Sequence, residues 1–311
     1  MDKGSKIYIA GHTGLVGSAI KRCLEEKGYN NLIFRTSKEL DLRDQKYVEE
    51  FFRKEKPEYV FNAAARVGGI IANKEKKAEF IYDNIQIQSN IIHFSWKYGV
   101  KKLLFFGSNC MYPKNSPQPI KEESFLTGAP ELTNDAYSVA KIAGVKMCQS
   151  YNEQYKTNFI CVVPASLFGP NDNFDLNDSH FVPAFIRKFH EAKIKGDKKI
   201  ILWGSGKPRR EIMYVDNLAD ACLFLMDNYN SSELINIGTG EDFEIREIAE
   251  ILREITGFKG GIEYDISKPD GVMRKLLDSS KIESLGWKPK TEAIDGLKKT
   301  YEWFQENSRI K

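Results

Sequence analysis

The chain lacks the cysteine patterns that build disulfide or zinc frameworks. Its five cysteines, at 23, 110, 148, 161 and 222, are odd in number, scattered, and never spaced as Cys-x-x-Cys. That argues against a disulfide scaffold and a metal site, and for a reducing setting. No apolar run approaches the ~18 residues a membrane-spanning helix needs. Met1-Asp2-Lys3-Gly4-Ser5 also lacks the apolar region of a leader, so a soluble cytoplasmic protein is expected. Charge imbalance is missing too: a net +3 over 311 residues gives no electrostatic reason to invoke nucleic acid or an anionic membrane. There are no internal repeats and no low-complexity linker. What is present is 41% hydrophobic residues, enough for a substantial core in one large domain or two.

Strand-like runs over 6–10, 32–36, 59–63, 102–107 and 158–164 alternate with amphipathic stretches near 15–27, 44–56, 79–98 and 136–155. Continuous apolar strands separated by helices predict a parallel sheet covered on both faces. After Phe168-Gly169-Pro170 the rhythm changes. An Asn- and Asp-rich loop over 171–179 leads to one helix, a strand at Lys199–Trp203 and the polar turn Gly204-Ser205-Gly206-Lys207-Pro208. A strand over 234–238 returns to the main sheet, and the part from about residue 244 mixes helices with one strand near 261–266. The expected architecture is α/β. A doubly wound parallel sheet spans 1–168 plus about 216–243, and a smaller, discontinuous α/β substrate domain spans 169–215 plus about 244–311.

Gly11, Gly14 and Gly17 follow the first strand and open the first helix. Glycine there permits a tight turn, lets backbone approach a pyrophosphate, and allows helix to pack on strand, with the helix N-terminus facing the phosphates. The loop Gly11-His12-Thr13-Gly14-Leu15-Val16-Gly17 thus predicts a dinucleotide site, with Thr13, Leu15 and Val16 in contact as well as the glycines, and makes the sheet Rossmann-type. Its G-x-x-G-x-x-G spacing is that of the short-chain dehydrogenases. Past the second strand stand Arg35-Thr36-Ser37-Lys38, with no acid until Glu39. Cations in that place suit a 2′-phosphate, so NADP(H) is the expected cofactor, read by Arg35 and Lys38. Asp41 and Leu42 are expected against the adenine, and the small Ala64 beside the cofactor at the end of the third strand.

Tyr137 and Lys141 stand four apart and share a helix face. A free phenol titrates near ~10, and an adjacent ammonium that stabilises the phenolate makes tyrosine a usable acid and base. Ser108, at the end of the fourth strand, can donate to the same substrate oxygen. Two residues further on, Cys110 adds a thiol beside this ketone-binding pair. A C4 ketone acidifies the protons on its flanking carbons, and the thiol is a candidate base for removing them. The enolate then rests on the same Ser108 and Tyr137 donors that later serve the C4 alkoxide. The set points to an epimerase and a reductase in one chain. His12, His93 and His190 read as structural or surface residues.

Further runs carry a resemblance: Ala64-Ala65-Arg66-Val67-Gly68-Gly69-Ile70, Asn90-Ile91-Ile92-His93, Ala140-Lys141-Ile142-Ala143-Gly144, Trp203-Gly204-Ser205-Gly206 and Lys268-Pro269-Asp270-Gly271. Over nearly its whole length the chain resembles the extended short-chain dehydrogenases acting on nucleotide sugars. Within them it is similar to the 3,5-epimerase-4-reductases of GDP-4-keto-6-deoxy-D-mannose. The resemblance implies NADPH-dependent epimerisation at C3 and C5 of a GDP-linked keto-sugar, then reduction at C4, with Cys110 as base and His180 as acid. It implies that Pro164, Leu167 and His180 also touch the cofactor. Ser108, Asn109, Lys188, Trp203, Arg210 and Asp270 are implied to bind substrate. A homodimer is implied through the helices near 79–98 and 136–155, where Ile85, Ile92 and Val145 fit a bundle or the sheet.

Three departures from the relatives stand out. Thr13 and Ser37 occupy places where arginines can face the 2′-phosphate, Lys188 replaces an arginine, and Ser166 replaces a larger amide. They keep open a sister substrate such as a heptose, reduced at C4 alone with epimerisation by a separate enzyme. A 4,6-dehydratase would carry an acidic pair where this chain has Asn109-Cys110. A non-catalytic NADP-binding redox sensor would not need Ser108, Tyr137 and Lys141 together.

Overall fold

A computed structural model describes residues 1–176, 178–268 and 270–307. Asn177 of the Asn-rich loop, Pro269 of the Lys268–Gly271 run and the last four residues of the expected substrate domain lie outside the described residues. The chain opens with β1 (Ile7–Ala10), α1 (Leu15–Glu26), β2 (Leu32–Ile33), α2 (Gln45–Glu55), β3 (Tyr59–Asn62), a short α3 (Ile70–Glu75) and α4 (Lys77–Lys97). Next come β4 (Lys102–Phe106), α5 (Asp135–Tyr155), β5 (Phe159–Pro164), β6 (Ser166–Phe168), α6 (Phe181–Lys195) and β7 (Lys199–Trp203). After these follow β8 (Arg209–Arg210), β9 (Ile212–Tyr214), α7 (Val215–Asn228) and β10 (Leu234–Ile237). The chain closes with β11 (Phe243–Glu244), α8 (Ile245–Thr256), β12 (Gly261–Asp265), β13 (Arg274–Lys275), α9 (Ser280–Ser284) and α10 (Ala293–Asn307).

Six strands form the main sheet in the order β10-β5-β4-β3-β1-β2, and every neighbouring pair is parallel. All five residues of β4 are buried, as are the first five of β5. Strands covered on both faces by helices must be apolar throughout, which is the pattern visible in the sequence. The fold is the Rossmann-type doubly wound α/β architecture. The chain moves from β1 to β2 on one side and returns to β3 on the other, so strand order reverses at β1. Beyond the carboxyl ends of the strands, that reversal opens the crevice in which such sheets bind ligands.

Differences from the sequence expectation lie where tertiary pairing overrides strand propensity. β2 stops at Ile33 instead of running to 36. As an edge strand it has one neighbour, and Phe34 leaves the ladder to stack on His12 with ring centroids 4.7 Å apart. Helix α4 starts at Lys77 and is preceded by α3, which was not foreseen. The two- and three-residue strands β6, β8, β9, β11 and β13 are too short to leave a periodicity. No helix among the described residues is long and apolar enough to cross a membrane.

A second apolar cluster, separate from the core of the main sheet, joins Phe168, Phe185, Phe189, Leu202, Ile248 and Leu252. Around it β7 pairs with β12, and β8 lies between β11 and β13. Glu211 connects this region to the main sheet. Only 1% exposed, it accepts N–H bonds from Thr239 (2.6 Å), Gly240 (2.9 Å) and Leu277 (2.9 Å). Burial raises its pKa while those donors oppose the rise. Lys102 is a second buried charge. Its Nζ donates to the carbonyls of Leu225 and Met226 at the end of α7 and to Asn230 Oδ1, at 2.7–3.0 Å. Cations suit a helix C-terminus, and these acceptors offset the loss of water.

Gly144 marks the closest approach of α5 to α4 and β4. A Cβ there would stand 2.8 Å from Gln88 Oε1 and overlap the Phe105 ring. Alanine in a helix interior normally gains ~1 kcal/mol over glycine, but overpacking a core costs about 1–3 kcal/mol. Gly144→Ala is therefore expected to lower the thermal midpoint measured by circular dichroism, against the helix-propensity trend.

Candidate active site

The glycine loop stands at the carboxyl end of β1. Gly11 takes φ +80°, where side chains are disfavoured, and a Cβ on it would lie 2.8 Å from Ala64 N. A Cβ on Gly17 would overlap the Gly11 carbonyl oxygen, so α1 rests directly on the turn. At Gly14, the N-cap, no side chain caps α1, and its first turn carries no acid. The first N–H groups of the helix, at its positive end, thus remain available to an anion. Asn62, ending β3 and buried, leaves both amide atoms without a partner. Open donors on a side-chain-free turn, beside an orphaned amide, fit a bound dinucleotide.

The other residues expected at the cofactor are spread over neighbouring strand ends. Thr13 is exposed, Leu15 and Val16 are half-buried, Ala64 follows β3, Pro164 closes β5 and Leu167 lies in β6. Arg35 is engaged elsewhere: its Nη2 bonds Glu55 at 3.0 Å, its Nη1 bonds the Phe34 carbonyl at 2.8 Å, and it lies over the Phe51 ring. Lys38 is exposed in a turn that Glu39 braces by accepting the N–H and hydroxyl of Thr36 at 2.7 and 2.8 Å. Asp41 is bonded to Arg43 (2.7 Å), which holds its carboxyl below the usual range. Leu42 packs partly buried against the core.

The catalytic candidates meet at the end of β4. Ser108 stands beside Tyr137 and opposes the rise in its pKa, and its Oγ accepts the Cys110 N–H at 3.3 Å. Lys141 Nζ donates to the Phe106 carbonyl at 2.9 Å and lies 5.9 Å from the Tyr137 ring centroid. Burial lowers the Lys141 pKa to about 8. The expected drop in the Tyr137 pKa is not found: burial raises it, Cys110 adds to the rise, and Ser108 opposes it. Loss of water at the phenol is the largest cause.

Around the thiol, Asn134 Nδ2 donates to Cys110 Sγ at 3.0 Å and Lys275 Nζ lies 3.5 Å away. The sulfur in turn reaches Asn109 Oδ1 at 3.7 Å. His180 is the N-cap of α6 and makes no capping bond. The residue is exposed, though protein crowds the ring. That lost hydration lowers its pKa, with Asp178 opposing and Lys275 adding.

Residues implied for the nucleotide end form a neighbouring group. Lys188 on α6 and Lys268 each place Nζ 5.5 Å from the ring centroid of Trp203, at the end of β7. Asp270 accepts the Ser205 N–H at 2.6 Å and its hydroxyl at 2.8 Å. Burial lowers the Arg210 pKa, with Cys110 and Asp270 pulling the other way, so Arg210 joins the nucleotide end to the thiol. Ile92 and Val145 are buried in the chain's own core, and Ile85 is half-buried. The sequence reading missed Asn134, Lys275 and Lys268 as site residues. Asn134 is one helical turn before Tyr137, a spacing that could have signalled it. Lys275 carries no such local mark.

A Rossmann sheet with a Ser–Tyr–Lys set at its carboxyl edge defines a nicotinamide-dependent short-chain enzyme. Residues 7–238 match the model of the NAD dependent epimerase/dehydratase family, and the chain belongs to that family. It is 54% identical over 306 residues to GDP-L-fucose synthase 1 of Arabidopsis thaliana, covering 98% of this chain and 95% of that protein. A solved GDP-6-OMe-4-keto-L-xylo-heptose reductase from Campylobacter jejuni superposes with TM-score 0.95 at 43% identity, covering 99% of both chains. A GDP-L-fucose synthetase from Naegleria fowleri bound to NADP gives TM-score 0.93 at 32% identity, covering 99% of this chain and 94% of that one.

Gly17→Ala tests the cradle. The added methyl must push the Gly11 turn away from α1, so dinucleotide binding should fall at least tenfold in a fluorescence titration. The domain itself should lose only about 1–3 kcal/mol of stability by the usual cost of overpacking.

Proposed function

We propose that the protein is an NADPH-dependent enzyme that epimerises C3 and C5 of a GDP-4-keto-6-deoxy-hexose and then reduces C4. One observation carries this: the Cys110 sulfur, bonded by Asn134, shares a cleft with Ser108 and Tyr137. A plain ketone reductase has no use for a thiol there. The GDP-L-fucose synthase named among its relatives and the NADP-bound neighbour support the substrate class and the cofactor.

Ser108 and Tyr137 donate to the C4 oxygen, and that polarisation acidifies the flanking carbon-bound protons. Cys110, as thiolate, removes a proton from one face, and the His180 imidazole delivers one to the other. The enolate charge gathers on the oxygen held by the same two donors. NADPH, when bound, supplies hydride to C4. Tyr137 gives its phenolic proton to the developing alkoxide, and the Lys141 ammonium stabilises the phenolate left behind.

The Gly11–Gly17 loop holds the cofactor's pyrophosphate, with Lys38 and Arg35 at the 2′-phosphate. Arg35 exchanges its Glu55 partner for that phosphate. Lys188 and Arg210 suit a diphosphate, and Trp203 offers a flat face to base or sugar. The apolar cluster around Phe185 and Leu252 supports a substrate-binding domain of 169–215 plus about 244–311, set against a dinucleotide-binding domain of 1–168 plus about 216–243. Exposed Tyr82 and Tyr155, on α4 and α5, support a homodimer through those helices, and the scattered, unpaired cysteines suit the cytoplasm.

Reduction at C4 alone, on a heptose-type sugar, is favoured by the likeness to the heptose reductase. Incubation with substrate in heavy water, without NADPH, separates the two. Deuterium should enter C3 and C5 with the wild-type protein and not with Cys110→Ser, which keeps some direct reduction. A wild-type protein that exchanges nothing would be a C4 reductase. Tyr137→Phe should lower NADPH consumption by about 10²–10⁴, the usual worth of a positioned acid.

The reduction should also lose rate as pH rises through about 8, because Lys141 carries its charge only below that value. A profile of kcat/KM that stays flat to pH 10 would contradict the role of the ammonium.

A further inference from the structure

We propose that Asn134 and Lys275 are positioning residues that hold the Cys110 sulfur as a thiolate beside the Ser108–Tyr137 pair. The role rests on Cys110 being the base of the epimerisation; the contacts do not.

A neutral thiol is a weak hydrogen-bond acceptor, whereas a thiolate accepts strongly. Yet two donors converge on this sulfur, from segments 24 and 165 residues away, Asn134 Nδ2 at 3.0 Å and Lys275 Nζ at 3.5 Å, against a single, longer contact to an acceptor, Asn109 Oδ1 at 3.7 Å. Both donors are held in place. The Ser138 hydroxyl donates to the Asn134 carbonyl at 3.0 Å and lies 3.5 Å from its Oδ1, which sets the amide with nitrogen toward the sulfur. Lys275 pairs in register with Arg210, and its carbonyl accepts the Glu211 N–H at 3.1 Å.

Every packed element brings a charged or titratable group to this place. They are Tyr137 from α5, Arg210 from β8, Arg274 and Lys275 from β13, and Lys114 and Glu131 from the segment between β4 and α5. Lys114 and Glu131 neutralise each other at 2.9 Å, and Arg274 bonds Asp242. Arg210 is shared with Asp270. Lys275 forms no salt bridge among the described residues, and its ammonium lies within hydrogen-bond reach of the sulfur. The same ammonium acts on His180, favouring release of its proton.

Thiolate formation can be read without substrate, from the rate of Cys110 alkylation by iodoacetamide against pH, followed by peptide mass spectrometry on the full chain. An opposite charge within hydrogen-bond reach moves such a midpoint by about 1–3 pH units. Lys275→Met should shift the alkylation midpoint upward by that amount, and Lys275→Arg should restore most of it. Asn134→Ala should give a smaller rise. Asn134→Asp, nearly isosteric and placing a carboxylate against the sulfur, should shift it further than Asn134→Ala, and it keeps the test open if Lys275→Met fails to fold. Alkylation curves for Lys275→Met and Asn134→Asp that superpose on the wild type would overturn the proposal. Shifted curves, together with a wild-type protein that exchanges no C3 or C5 proton, would leave the positioning role standing and remove only the epimerase reading.

Discussion

Glu211 has almost no water around its carboxylate, so three backbone N–H groups from remote parts of the chain take water's place. Through them one side chain fixes the loop after β10, the segment after β13, and its own neighbour Arg210. Lys275 and Arg210 could not stand at the cleft without that clasp, because β8 and β13 are each two residues long and hold few ladder bonds of their own. Breaking a buried charge network of this kind typically costs about 3–5 kcal/mol. The placement of the second half of the site is thus settled by a group that never touches the cleft.

Two buried lysines show how one chemical group serves two ends. Burial lowers both to about 8. Lys102 spends its three donors on Leu225, Met226 and Asn230, and so only seals the end of a helix. Lys141 spends one on the Phe106 carbonyl and keeps the rest for the cleft. Charge and burial alone do not separate them; donor occupancy does.

Much of the fold was legible because parallel strands covered on both faces must be largely apolar, and β1, β3, β4 and β5 are, apart from Asn62 and Lys102 at strand ends. The edge strand β2 was misjudged in length, since Phe34 and Arg35 have strand-forming character but find partners in His12 and Glu55. In the site, Ser108, Tyr137, Lys141 and Cys110 were legible as local motifs. Asn134 had a helical spacing from Tyr137 that could have marked it, whereas Lys275 was not legible, because what joins it to the site is a sulfur atom and not a spacing. The acidity expected of Tyr137 was misjudged for a different reason: sequence shows which charge is near, and only coordinates show how much water has gone.

Trp203 differs from the other tryptophans among the described residues in being 47% exposed, with two ammonium groups each 5.5 Å from its ring centroid. Indole emission responds to surrounding water and charge. Whatever fills the space beside that ring must disturb both, so the protein carries its own optical gauge of occupancy, with no dye or label attached.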